Sequence, residues 1–385
     1  MKLNTVILKV VSPCNLNCTY CYEYNRGDDS WKAKPKMLTK DLAREVGGRI
    51  REYCLSNGLS EFDVNLHGGE PMMLGSVRLQ EIFDAISSKT DGIKINFGMQ
   101  TNATLANNKI LEVLDKNDVA IGVSLDGGEF QNKSRIFHTG EEAHKKIIKG
   151  LELIKKRKRL WSGILAVIDL NNDPEETIAQ LISQHPVSID LLPPLANFDN
   201  PAYVIPPRFQ LGEWLIRVFN YWVSNEQYQK IRIKFFEDAI YAIISGKSIS
   251  DWFGLQPPGY LVIATDGNYE GLDTLKVGGD NGRLTEKNIK IHKMSEVVES
   301  EIFQMRMKGA EGLSKKCQEC AIVSWCGGGH LPHRYGNDRI YDNPSVYCDD
   351  MKYFFSEIAE WIMKQNLVTE LQKVQISSKL DQLVH

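Results

Sequence analysis

The chain has 385 residues, 42% hydrophobic and 25% charged, with a formal net charge of −3. That length suits roughly two to three domains around a sizeable buried core. The near balance of charge argues against a dedicated nucleic-acid binder, which would be basic, and no run reaches the roughly 18 apolar residues of a membrane span.

The first half alternates strand and helix patterns. Strand-like runs lie at 5–11, 61–67, 94–100, 120–125, 162–169 and 188–192. Helical periodicity covers 39–54, where Leu42, Val46, Ile50 and Cys54 form one stripe, and recurs at 107–116, 141–155 and 174–184. Alternating β and α predicts parallel strands with helices outside. Six such units curl into an open (β/α)6 barrel or lie as a doubly wound sheet, and periodicity does not separate the two. In both, functional groups gather at the carboxyl ends of the strands. Cys14 follows the first run, His67 to Pro71 end the second, Thr101 and Asn102 the third, and Ser124 to Gly127 the fourth. Pro193-Pro194 and Pro206-Pro207 mark a boundary, followed by helical stretches at 211–223 and 235–245. Beyond Pro257-Pro258 the texture changes to short strands, glycines and turns. Helix returns at 349–364, with Tyr353, Ile358 and Trp361 as expected packing residues. The expected division is an α/β core at 1–210, a helical bridge at 211–255, a small cysteine-bearing domain at 256–350, and a helix and tail at 351–385.

Eight cysteines need a reason, and seven fall into two groups. Met1-Lys2-Leu3-Asn4 lacks the features of a signal peptide, so a cytoplasmic location with reduced thiols is expected. A disulfide framework would be denser and sit in a shorter, secreted chain, so clustered thiols point to metal. Cys14, Cys18 and Cys21 form C-x3-C-x2-C on a loop after the first strand. Three thiolates can hold three irons of a [4Fe–4S] cluster and leave the fourth open to another ligand. A structural zinc site would want a fourth ligand nearby. Cys54 lies on a packing stripe, and His67 is the only near histidine. Cys317, Cys320, Cys326 and Cys348 make a complete four-thiolate set, which suits a closed zinc site or a cluster.

The first group, with Tyr20 before its last cysteine, resembles the signature of the radical S-adenosylmethionine (SAM) family. The resemblance implies a partial (β/α)6 barrel and a SAM-binding [4Fe–4S] cluster on those three cysteines. It also implies reductive cleavage of SAM to a 5′-deoxyadenosyl radical. Gly68-Gly69-Glu70-Pro71 resembles the family segment whose carboxylate and carbonyls meet the SAM ammonium, with glycines permitting close approach. Gln100-Thr101-Asn102 and Ser124-Leu125-Asp126-Gly127 resemble its ribose-side segments, with Asn102 and Ser124 the expected contacts. Tyr20 is grouped with these cofactor-binding residues, and Arg135 resembles the arginine that pairs with the SAM carboxylate. Taken one by one, the same residues also suit a turn, polar strand ends and a surface charge.

The second group resembles the SPASM type of C-terminal extension found in peptide-modifying radical SAM enzymes. It departs from the full pattern, because His330 stands where a cysteine would continue and 259–273 lacks upstream cysteines. One auxiliary [4Fe–4S] cluster on Cys317, Cys320, Cys326 and Cys348 is therefore implied, for electron transfer or for structure alone. The segments Tyr24 to Trp31, His67 to Pro71, Asp266 to Lys276, Cys326 to Tyr335 and Asn343 to Cys348 together resemble enzymes that form three-residue cyclophanes in ribosomal peptides. That implies a carbon–carbon crosslink between a β-carbon and an aromatic ring of a precursor peptide. Asp273 is the expected catalytic base, and His333 and Arg334 are candidate substrate contacts. A flavodoxin or ferredoxin would supply electrons. No leader-binding domain is expected before Cys14, so recognition would fall to the core or to a partner protein. The alternatives are other radical SAM peptide chemistry (sulfatase maturation, epimerisation, thioether formation) and a non-catalytic zinc or iron–sulfur protein.

Overall fold

A computed structural model describes residues 2–203, 205–257, 259–278 and 284–383. Its strands in chain order are β1 (Thr5–Val11), β2 (Glu61–Gly68), β3 (Lys94–Thr101), β4 (Ala120–Ser124), β5 (Trp161–Val167), β6 (Ser188–Leu192), β7 (Arg232–Ile233), β8 (Tyr260–Ile263), β9 (Asn268–Glu270) and β10 (Leu284–Asn288). The longer helices begin with α1 (Lys40–Asn57), α2 (Gly75–Ser87), α3 (Asn108–Lys116), α4 (His144–Lys155), α5 (Pro174–Ile182) and α6 (Leu211–Val223). Two compact units result. The first runs as far as Ala166 and includes Gly259–Gln304; the second begins at Val167 and resumes at Met305.

In the first unit the sheet order is β10-β9-β8-β1-β2-β3-β4-β5. Strands β8, β1, β2, β3, β4 and β5 are parallel, while β9 and β10 are antiparallel additions. Strands β1 to β5 follow one another in chain order without reversal. That is the winding of a (β/α) barrel, and it excludes a doubly wound sheet, whose order reverses at a switch point. Local chemistry explains the elements. Val6, Leu8, Val10 and Val11 make β1 a nearly continuous buried run, as expected of a strand covered on both faces. Thr39 caps α1 by accepting from Leu42 N at 3.2 Å, and Gly58 closes the helix at φ 65°. The stripe Leu42, Val46, Ile50 and Cys54 is buried, as its spacing predicts.

The second unit packs α5, α6 and the helices Lys234–Ser245 and Cys348–Lys364. Strands β6 and β7 pair in parallel. Aromatic rings fill its core: Phe219 meets Phe236 at 5.3 Å and Trp361 at 5.2 Å, both edge to face. In the last of those helices Ile358 is buried as expected, but Tyr353 is 46% exposed, because Phe354 and Phe355 take the inward positions. Among the described residues no helix is long and apolar enough to cross a membrane.

Candidate functional site

The first cysteine group occupies the loop leaving β1. Cys21 N bonds Cys18 O at 3.0 Å, and the loop is tied down by Asn17 N to Ile136 O at 2.7 Å and Thr19 N to Ser134 O at 3.0 Å. The end of β2 lies directly against the approach to Cys14. A Cβ on Gly68, which sits at φ +125°, would stand 2.1 Å from Val11 O, and one on Gly69 only 1.9 Å from Pro13 O. Only glycine permits that approach.

The sequence-predicted polar residues gather around this loop, but several already have partners. Glu70 is 1% exposed. Its carboxylate accepts from Thr101 Oγ1 at 2.6 Å, Asn102 N at 2.7 Å and Met72 N at 3.0 Å. It therefore straps the ends of β2 and β3 together. Asn102 Nδ2 bonds Asn15 Oδ1 at 3.0 Å and lies 3.8 Å from Cys14 Sγ. Arg135 is buried and grips Asp126 through Nε at 2.8 Å and Nη2 at 2.7 Å, while the Tyr20 hydroxyl donates to the same carboxylate. Ser124 Oγ accepts from Gln100 Nε2 at 2.8 Å. Asp126 organises both Arg135 and Tyr20, a role its place in the Ser124 segment only hinted at. Burial pushes the three thiols up, Cys21 to about 12, and Glu70 adds to the rise at Cys14. Thiolates here call for bound cations.

A network of buried charge lies beside the loop. Lys9 pairs with Glu23 and Asp273, Lys34 with Glu270, and Lys276 with Glu23. Lys9 Nζ is also 3.8 Å from Glu270 Oε2, and Lys276 Nζ 3.8 Å from Asp28 Oδ2. The Tyr22 hydroxyl donates to Asp273, and His67 Nδ1 lies 3.7 Å from Asp273 Oδ2. Burial raises the Asp273 carboxyl, but Lys9, His67 and Lys276 outweigh it and hold the group well below the usual carboxylate range. Sequence reasoning missed Lys9, Glu23 and Lys276. A lysine inside the otherwise apolar run of β1 was the available signal.

In the second unit, Cys317, Cys320, Cys326 and Cys348 line a cavity of about 230 Å³ together with Lys316 and Lys352. Burial and the neighbouring thiols push Cys326 up to about 12; burial also raises Cys348, with Lys316 and Lys352 opposing. Gly327, at φ +61°, allows the loop to touch Gly254, where a Cβ would lie 1.7 Å from Gly254 O. His330 lies against Trp252, with ring centroids 4.1 Å apart and the planes tilted by 31°. Arg334 donates to the carbonyls of Tyr341 at 2.8 Å and Gly312 at 3.1 Å, which makes it a brace for its own loop. His333 is buried against Tyr347 at 4.9 Å.

Residues 9–182 match the radical SAM superfamily. An uncharacterized protein of Methanocaldococcus jannaschii is 31% identical over 193 residues, 49% of this chain and 63% of that relative's length. A serine-type anaerobic sulfatase-maturating enzyme of Bacteroides thetaiotaomicron is 24% identical over 410 residues, covering 98% of this chain and 95% of the relative. The structure of native anSMEcpe with bound AdoMet and Cp18Cys peptide superposes with TM-score 0.77 at 20% identity, over 94% of this chain and 99% of that one, a likeness of fold. The superfamily implies SAM and a [4Fe–4S] cluster. The thiols of the loop after β1 fit that group: three soft donors, half-buried, raised, and mutually close enough that Cys18 and Cys21 each act on Cys14. Among the described residues no three Cys, His or acidic side chains converge tightly enough for a single metal ion. Residues 9–182, with Cys14, Cys18 and Cys21 on the loop after β1, thus carry the likeness to the radical SAM superfamily.

Proposed function

We propose that this enzyme matures a ribosomally made precursor peptide by joining a β-carbon to an aromatic ring, giving a three-residue cyclophane. The observation that carries this reading is the motif series from Tyr24 to Cys348, which resembles such enzymes over almost the whole chain. The name of the sulfatase-maturating relative supports the broader class, a maturase of peptide or protein substrates.

Cys14, Cys18 and Cys21 would hold the SAM-binding cluster, and Cys317, Cys320, Cys326 and Cys348 an auxiliary one. The latter four thiols line one cavity, a donor set that suits a closed zinc site or a cluster, and the resemblance to the SPASM type favours the cluster. When bound, these groups supply one-electron chemistry and a carbon-centred oxidant able to take hydrogen from an unactivated carbon. The protein's own residues bind and orient. Gly68, Gly69, Glu70 and Asn102 shape the SAM site beside Cys14; Ser124, Tyr20 and Arg135 complete it, with Asp126 fixing the last two. The buried ion pairs around Asp273 fix its carboxylate beside Tyr22, which adjoins Cys21. A flavodoxin or ferredoxin is the proposed electron donor.

The test uses anaerobically reconstituted protein with a strong reductant, SAM and the peptide encoded by the neighbouring short reading frame. The expected result is 5′-deoxyadenosine plus a peptide lighter by two hydrogens, with backbone fragments missing across a three-residue window. A complete fragment ladder with the change confined to one Ser or Cys would instead support the activity for which the relative is named. No deoxyadenosine, with or without peptide, would sink both readings.

A further inference from the structure

We infer that His67 is the group that takes the proton leaving the substrate, with Asp273 as its positioning carboxylate. This assignment rests on the peptide-crosslinking reading above. His67 is the penultimate residue of β2, directly before Gly68-Gly69 and cross-strand from Lys9. Lys9 and His67 therefore flank Asp273 from adjacent strands. Lys9 pairs with Oδ1, Tyr22 donates to Oδ2, and His67 Nδ1 lies 3.7 Å from that same Oδ2. Nδ1 is buried and has no hydrogen-bond partner among the described residues, yet the side chain keeps 28% of its surface exposed.

A carboxylate facing Nδ1 favours the tautomer with hydrogen on that nitrogen. The lone pair then sits on Nε2, and the same carboxylate steadies the ring once it becomes cationic. The 3.7 Å separation is longer than a hydrogen bond. Such contacts commonly tighten only when substrate is present. Asp273 is badly placed to be the acceptor itself, since Lys9 and Tyr22 already occupy its two oxygens. Burial, working against the pull of Asp273, holds the His67 imidazole below its ordinary value, so at neutral pH it is uncharged and able to accept.

Once the new carbon–carbon bond has formed, the ring carbon that carries it still holds its hydrogen, and the ring has one unpaired electron. The proton passes to His67 Nε2, and one electron leaves to an acceptor of the oxidised iron–sulfur class. The ring regains its aromatic sextet, and the imidazolium returns its proton to solvent.

The test compares wild-type holoenzyme with H67Q, H67A and D273N, on the same peptide, scoring crosslinked peptide per deoxyadenosine across the pH range in which an imidazole titrates. Proton transfer of this kind contributes about 100-fold or more, so H67Q should lose at least that factor in the ratio. Added imidazole should restore part of the product in H67A. The charged groups facing His67 are Asp273, Glu23, Lys9 and Lys276. Removing the Asp273 charge makes the imidazolium less favourable, so the acid limb of the profile should move to lower pH in D273N and vanish in H67Q. Iron content per chain checks folding, and H67N replaces H67Q should the latter fail to load iron. A wild-type ratio in H67Q, or loss of product in D273N with H67Q spared, overturns the assignment. Absence of deoxyadenosine from the wild-type enzyme overturns the parent reading, and this one with it.

Discussion

At Gly69 a single hydrogen separates a working site from a collision. A methyl group there would lie 1.9 Å from Pro13 O and 2.3 Å from Pro13 C, both backbone atoms one residue before Cys14. Backbone does not rotate away as a side chain does, and overpacking of this kind costs about 1–3 kcal/mol or more. G69A should therefore lower the melting temperature and reduce iron bound per chain, read by calorimetry and iron assay; wild-type values for both would refute the account. Much of the site was legible at this scale because cysteine spacing and Gly-Gly-Glu-Pro are local signals. Glu70 shows where local reading stops. Its motif was visible, but its partners Thr101 and Asn102 lie more than thirty residues on, and they turn the carboxylate into a strap. Arg135 is similar: its motif is local, while its bidentate grip on Asp126 depends on the fold.

Helix α1 shows how an element's ends and interior respond differently. Thr39 accepts from Leu42 N at 3.2 Å, so T39A should cost about 1 kcal/mol. Gly48, in the same helix, has nothing within 4 Å of an added Cβ, so G48A should gain about 0.5–1 kcal/mol. Denaturant titration of the two variants should move the midpoint in opposite directions, and a shift in the same direction would contradict the helix geometry. Periodicity located α1, α3, α4 and α5 because each buries a stripe. Helix α2 lies outside the helical stretches expected from periodicity, although Leu79, Ile82, Phe83 and Ile86 carry the same spacing and are buried. The pattern expected from 141 begins as a bridge, Ile136 to Glu142, and turns helical only at His144. In Cys348–Lys364 the apolar run Tyr353-Phe354-Phe355 leaves the inward face ambiguous by one position, and packing sends Tyr353 outward.

Burial holds His67 in the first unit and His333 in the second below the ordinary imidazole value, and at His333 the neighbouring His330 adds to the effect. For both, the folded-state value lies below the unfolded one, so the unfolded chain binds more protons between the two. Stability from these groups is full above the unfolded value of about 6.5 and is lost as pH falls below it. Melting temperature should decline on acidification from neutral pH, less steeply in H333Q; identical slopes would show that His333 does not contribute. The sequence alone determined the α/β class, the two cysteine groups and the strand-end placement of the site. Hydrophobic period, thiol spacing and turn chemistry are encoded within a few residues of each other. Tertiary structure alone decided the rest. Strand order made the core singly wound, and β8 paired with β1 to bring Glu270, Asp273 and Lys276 to Lys9 and Glu23. Those contacts join residues some 250 positions apart, and no local pattern specifies which buried charge will meet which.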